Sequence, residues 1–213
     1  MIKAVVFDFD GVILESADIK TDAFLELFAD RPEHIDGVRA HHLKNLGVSR
    51  YDKFDWIYAN LLEEPLSAAD KRSLGERFSM LVFEKVLACP FVPGAEQALR
   101  ELHGRLPLYV ASGTPHEELL RIVERRGLAH FFEGVNGSPW KKSDVIREVA
   151  RNHGCSTGEV LMVGDGETDL RAAQVAGAAF YGRRTPAASN VFDAEGCDGA
   201  EDLTTFCAYV DRR

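Results

Sequence analysis

The sequence predicts an α/β protein, a doubly wound parallel sheet with an all-helical domain inserted after the first strand. Short apolar runs alternate with helical patterns along much of the chain, and such alternation marks strand–helix–strand crossovers and hence a parallel sheet. Each run breaks off at Gly, Ser or Asp, residues that turn a chain or meet a ligand. Residues 16–91, between the first two runs, show helical periodicity and no convincing strand.

The first strand is expected over Ile2–Phe9, a greasy run that drives into Asp8 and Asp10. Helical patterns then occupy Ile19–Phe28, Tyr51–Leu62 and Ala68–Leu87. After the turn-like Val92-Pro93-Gly94 come a helix at Ala95–Leu102, a strand at Leu106–Ala111, and a helix at His116–Arg126 closed by Gly127. A helix over Ser143–Asn152, a strand at Val160–Val163, a helix at Asp169–Ala176 and a weaker strand at Ala178–Tyr181 complete the pattern. The expected division is a Rossmann-like core of residues 1–15 and 92–213 and a helical domain of residues 16–91.

With 46% hydrophobic and 28% charged residues the composition is that of a globular protein. The net charge of −9 argues against broad nucleic-acid binding, which rests on Lys and Arg at phosphates; a local basic pocket for a small anion stays possible. Cys89, Cys155, Cys197 and Cys207 form no CxxC pair and suggest reduced, mostly buried thiols. The N-terminal apolar run is interrupted by acids, unlike a signal peptide, and no stretch has the length of a membrane span. A soluble, cytoplasmic protein is expected, of open oligomeric state.

The chemistry concentrates at strand ends. Asp8 and Asp10, two apart on a strand, share a face; mid-sheet they would be intolerable, but ligands of open α/β sheets bind at the carboxyl ends of strands. Gly11 lets the chain turn there and a ligand approach the backbone. Turn-forming aspartates with no further role fit DFDG equally well. Asp165 and Asp169, in Gly164-Asp165-Gly166-Glu167-Thr168-Asp169, repeat the theme, although each also suits a turn or a helix N-terminus. Carboxylates gathered at one edge repel by roughly 4 kcal/mol per close pair at a dielectric near 20, a conflict that a hard divalent cation such as Mg²⁺ removes. Ser112-Gly113-Thr114 ends the second strand in hydroxyls, although a turn of this composition is common. Lys141-Lys142 stands before a helix, where an anionic partner would suit it but an ordinary solvated lysine pair fits as well.

In that order and spacing the four segments resemble the haloacid dehalogenase superfamily, whose phosphohydrolases carry DxDG, Ser/Thr, Lys and GDxxxD. The resemblance covers residues 1–15 and 91–182 and points to the branch of phosphoglycolate phosphatases and phosphosugar mutases. It implies Asp8 as nucleophile forming an aspartyl-phosphate, and Asp10 as the acid and base. Asp8, the Asp10 carbonyl and Asp165 would hold Mg²⁺, with Asp169 orienting them. Ser112, Gly113 and one lysine would meet the phosphoryl oxygens; Lys142 is preferred over Lys141 for its spacing to Val145-Ile146. The dehalogenating branch lacks an aspartate at the position of Asp10, so carbon–halogen hydrolysis is not expected.

The helical insertion resembles a cap that closes over such sites. Lys20 occupies the place of a mutase histidine, and Leu46-Gly47-Val48-Ser49-Arg50 resembles a cap loop whose arginine grips a distal phosphate. Lys20, Gly47, Ser49 and Arg50 are therefore candidate substrate contacts; a solvated Lys20 and a simple turn N-capped by Ser49 fit too. His41 and His42 are expected at the surface or the cap interface, Tyr51, Phe54 and Trp56 in the cap core, and His116 as a helix cap. The expected activity is a Mg²⁺-dependent phosphatase of a small phosphorylated metabolite. A phosphosugar mutase and a non-catalytic binding module are the alternatives.

Overall fold

The computed structural model describes residues 1–186 and 189–213, the side chains of Ser189 and Asn190 apart. Among them, six strands form one parallel sheet in the order β3-β2-β1-β4-β5-β6. These are β1 Ala4–Phe7, β2 Leu108–Pro115, β3 Gly134–Ser138, β4 Val160–Gly164, β5 Ala179–Arg183 and β6 Asp198–Ala200. The order reverses at β1, which pairs with β2 on one side and β4 on the other. That is the doubly wound arrangement in which ligands bind at the strands' carboxyl ends.

The side-chain period of two sorts the strand residues into layers. Val5, Phe7, Leu108, Val110, Leu161 and Val163 share one apolar cluster with α5 (Ala95–Leu102), α6 (His116–Arg125) and α10 (Phe206–Val210). Ala4, Val6, Tyr109, Ala111, Val160 and Met162 pack on the opposite face with α7 (Lys142–Asn152) and α8 (Glu167–Ala176). Being covered on both faces, β1 and β4 are apolar and fully buried.

Between β1 and β2 come α1 (Ala17–Leu27), α2 (Ile35–Lys44), α3 (Arg50–Ile57), which continues as a π-helical turn (Tyr58–Leu62), and α4 (Ala68–Ala88). Their core holds Phe24, Phe28, Phe54 and Phe78, edge-on or tilted against one another. The chain's two crossings between core and cap run side by side. Glu15 N–H donates to Pro90 O and Val92 N–H to Ile13 O, both at 3.0 Å.

The structure corrects several expectations. β3 and β6 had no apolar run because they are the sheet's two edges, each pairing on one side only. The second strand extends past Ala111 to Pro115, carrying Ser112 and Thr114. Helix α2 escaped notice because Gly37 and two histidines blur its apolar stripe. Cys89 is buried, but Cys155, Cys197 and Cys207 are half-buried. Trp56 is 39% exposed and stacks on His41, outside the cap core. His42, expected at the surface or the cap interface, is buried at that interface. His116 opens α6 without a side-chain cap and instead accepts from Gly137 N–H. No described helix is long and apolar enough to cross a membrane.

Candidate active site

Where β1 ends, Asp8 is 1% exposed and Asp165, at the end of β4, is 2% exposed. Asp169, in the first turn of α8, is fully buried, and one oxygen of each of the three carboxylates lies within 4.8 Å of the others. Backbone register creates this meeting: Phe7 pairs with Val163, and Asp8 N–H donates to Val163 O at 2.8 Å. Gly11 is indispensable to it. Its φ of +77° favours glycine, and a Cβ there would stand 2.1 Å from Asp165 Oδ2.

Lys142, first residue of α7, is buried and reaches Asp8 Oδ2 at 2.9 Å and Asp169 Oδ1 at 2.5 Å. Burial alone would lower its pKa; the two carboxylates reverse that and raise it. Lys141 is exposed, at the N-cap of α7. Burial pushes the Asp8 pKa up to about 7, against the pull of Lys142, and drives Asp165 well above its ordinary range. Asp169 also accepts from Gly166 N–H at 3.1 Å.

Asp10 stands in a different environment. Its carboxylate accepts from Ser16 Oγ at 2.7 Å, Thr114 Oγ1 at 2.8 Å and Ser112 Oγ at 3.3 Å, and is paired with Lys20 Nζ. Burial would raise this carboxyl, but Lys20 and the hydroxyls outweigh it and hold the pKa down to about 2. Adjacent carboxylates are thus pushed apart, one toward binding a proton and one toward remaining ionised.

The cap closes on these groups. Thr168 Oγ1 donates to Leu46 O. The Gly47 carbonyl packs so tightly on Gly113 that a Cβ there would stand 2.3 Å from its oxygen. Between cap and core is a cavity of about 50 Å³ lined by Asp8, Asp10, Lys20, Gly47, Arg50, Ser112, Gly113 and Asp165 among others. Ser49 sits at the N-cap position of α3 but makes no side-chain cap bond and does not line the cavity. Arg50, expected to meet a substrate anion, lines the cavity and is also held from both sides: its Nη atoms donate to Glu118 of the core at 2.6 and 3.0 Å, and to Ser79 of the cap at 2.8 Å. Lys20 is likewise engaged, by Asp10 and by Thr114 Oγ1 at 2.5 Å. Sequence reasoning missed Glu118 and Lys53 and gave Thr114 and His42 no part in the site, yet Thr114, Lys53 and His42 line the cavity.

The donor set fits a hard divalent cation. Three buried carboxylates face a single lysine, and none of the described residues donates a hydrogen bond to the Asp165 carboxylate. Oxygen-only ligands of this kind suit Mg²⁺.

A family model of haloacid dehalogenase-like hydrolases matches residues 2–177. The chain belongs to that family. A phosphoglycolate phosphatase of Vibrio cholerae is 28% identical to this haloacid dehalogenase-like hydrolase over 198 residues, covering 85% of this chain and 84% of the relative. The fold is shared with a hydrolase from Pseudomonas syringae, at TM-score 0.78 and 18% identity over 99% and 98% of the two chains. It is shared also with CbbY from Rhodobacter sphaeroides, at TM-score 0.74 and 17% identity over 96% of each chain.

Proposed function

We propose that this hydrolase is a Mg²⁺-dependent phosphatase of a small phosphomonoester, working through an aspartyl-phosphate on Asp8. The observation that carries the reading is the pairing of two carboxylates in opposed environments: Asp8 beside Lys142 and Asp165, Asp10 within a cage of hydroxyls and Lys20.

In the first step an Asp8 oxygen attacks phosphorus in line, and the bond to the leaving oxygen breaks as that oxygen takes a proton from Asp10. In the second, water attacks phosphorus, Asp10 accepts its proton, and the bond to Asp8 breaks. The depressed pKa of Asp10 favours the ionised form, which the second step needs. For the first it must carry a proton, so an arriving phosphoryl group has to draw Lys20 away from it. Ser112 and Lys142 face the transferring group and offset its charge. Asp8, the Asp10 carbonyl and Asp165 would hold Mg²⁺, which supplies charge neutralisation between the carboxylates and the phosphoryl oxygens.

The relatives named phosphoglycolate phosphatase put that two-carbon ester first on a substrate panel. Phosphate release across small phosphomonoesters, with Mg²⁺ and with chelator, tests the reading. Metal-dependent release lost in Asp8→Asn supports it, and full activity of Asp8→Asn refutes it. Sugar-phosphate isomerisation without phosphate release would instead favour a mutase.

A further inference from the structure

Lys53 and His42 are unaccounted for by the chemistry above, yet both line the cavity. Lys53 lies on α3, three residues after Arg50 and on the same buried side of the helix, and is 3% exposed. Arg50, Lys20 and Lys142 each have a carboxylate partner; Lys53 has none within 4 Å among the described residues. Its nearest companions are the His42 ring nitrogen Nδ1 at 3.2 Å and the face of Phe24, 5.3 Å from the ring centre. Burial, then Lys20, pulls its pKa down to about 7. His42 is itself 3% exposed, and its Nε2 is buried with no hydrogen-bond partner.

A buried ammonium without a counter-charge is costly, and so is an orphaned ring nitrogen. Together they are complementary to one kind of group. An ammonium at Lys53 donates to Nδ1, which places the ring proton on Nε2. The pair then offers the remaining Lys53 N–H groups and the His42 Nε2–H, all donors and no acceptor. The cavity has the carboxylates of Asp8, Asp10 and Asp165 and the hydroxyls of Ser112 and Thr114 in its core-side lining, and Lys53 and His42 in its cap-side lining beside Phe24, Phe78 and Val48. With the cap closed, about 50 Å³ remains, room for roughly four water molecules.

We propose that Lys53 and His42 form an anion subsite on the cap side of the cavity, which receives a second negatively charged group of a short phosphomonoester. A carboxylate one or two carbons from the ester oxygen is the compact member of that class. The subsite sets specificity and takes no part in bond breaking. It replaces the role expected of Arg50, whose charge Glu118 already satisfies.

The inference rests on the phosphatase reading, and the test separates the two. Carboxymethyl phosphate and ethyl phosphate have equal chain length and differ by one carboxylate. With Mg²⁺ the full chain is expected to hydrolyse the first with a kcat/KM about 30-fold above the second, the discrimination a buried ion pair supports. Lys53→Met should cut that ratio about tenfold, chiefly through the KM of the charged ester, whereas Lys53→Arg should preserve it. His42→Phe, which keeps a ring against Phe24 but removes the Nε2 donor, serves if Lys53→Met does not fold and should also narrow the ratio. Proportional losses on both esters, or a wild-type chain that does not discriminate, would overturn the subsite. The bisphosphate of ethylene glycol, run alongside, tells a preference for phosphate from one for carboxylate. If no ester is turned over, the phosphatase reading fails on its own. Calorimetry of the two esters on Asp8→Asn, with and without Lys53→Met, then decides the subsite: a preference that vanishes with Lys53 upholds it, and equal affinities overturn it.

Discussion

Asp8 and Asp10 are two residues apart and their surroundings drive them in opposite directions, which has consequences for pH. Asp8 is raised from 3.8 to about 7, so between those values the folded metal-free chain holds a proton that the unfolded chain releases. Stability of the metal-free protein is therefore expected to fall as pH rises from about 4 to 7, with Asp165 adding in the same direction. Adding Mg²⁺ at pH 8 should restore it, and the affinity for Mg²⁺ should weaken below pH 7 as protons compete for the carboxylates. Thermal melts across pH with and without metal check both. Asp10 has the opposite sign: its contribution is present above 3.8 and lost as pH falls toward 2. Lys20→Met removes the main source of that depression, so the basic limb of the kcat/KM–pH profile, above which Asp10 has lost the proton the first step needs, should move to higher pH. A limb that does not move would mean that Lys20 does not hold Asp10. The four aspartates were legible in the sequence because each interrupts an apolar run or opens a helix, and polar groups there need a reason. Thr114, Glu118, Lys53 and His42 were not, since their roles depend on which cap surface meets which core surface. One signal was present: Arg50 and Lys53 share the i, i+3, i+4, i+7 stripe with Phe54 and Ile57, and cations in an apolar stripe are out of place unless something buried engages them.

At the scale of elements, the cap is fastened to the core by α3 and α4 against α6. Arg50 and Ser79 converge on Glu118, with the guanidinium 4.4 Å from the centre of the Phe78 ring. Both members of the ion pair are buried. Glu118→Ala leaves the Arg50 charge uncompensated and is expected to cost about 3–5 kcal/mol, seen as a drop of roughly 10 °C in Tm. A near-neutral result would show that the pair contributes little to cap closure. The loop after α2 closes over the end of β2 with no space to spare: Gly113→Ala would put a methyl 2.3 Å from the Gly47 carbonyl. That variant should keep its fold yet lose at least about tenfold in kcat/KM, because closure is what completes and dries the site. Circular dichroism alongside kinetics separates closure from misfolding. The strands of the sheet's interior were readable from their apolar runs. The edge strands β3 and β6 were not, because one-sided pairing and partial exposure let glycine and polar residues stand there.

Over the whole molecule, the sheet order brings the ends of β1, β2 and β4 to one edge, and the cap inserted after β1 covers that edge. The core supplies acids and hydroxyls whose positions follow from backbone register, and the cap supplies cations whose positions follow from helix packing. This division explains why reaction chemistry was easier to read from the sequence than substrate preference. It also makes Asp8 the point on which everything else depends, since Lys142, Asp165 and the Asp10 cage have a common purpose only if Asp8 accepts a phosphoryl group. The most direct measurement is peptide mass analysis after rapid acid quench of the Mg²⁺-loaded chain during turnover of a small phosphomonoester. A transient gain of one phosphoryl group on the peptide containing Asp8, absent in Asp8→Asn, is the expected result. Turnover with that peptide unmodified at every quench time, and with activity retained in Asp8→Asn, would contradict it.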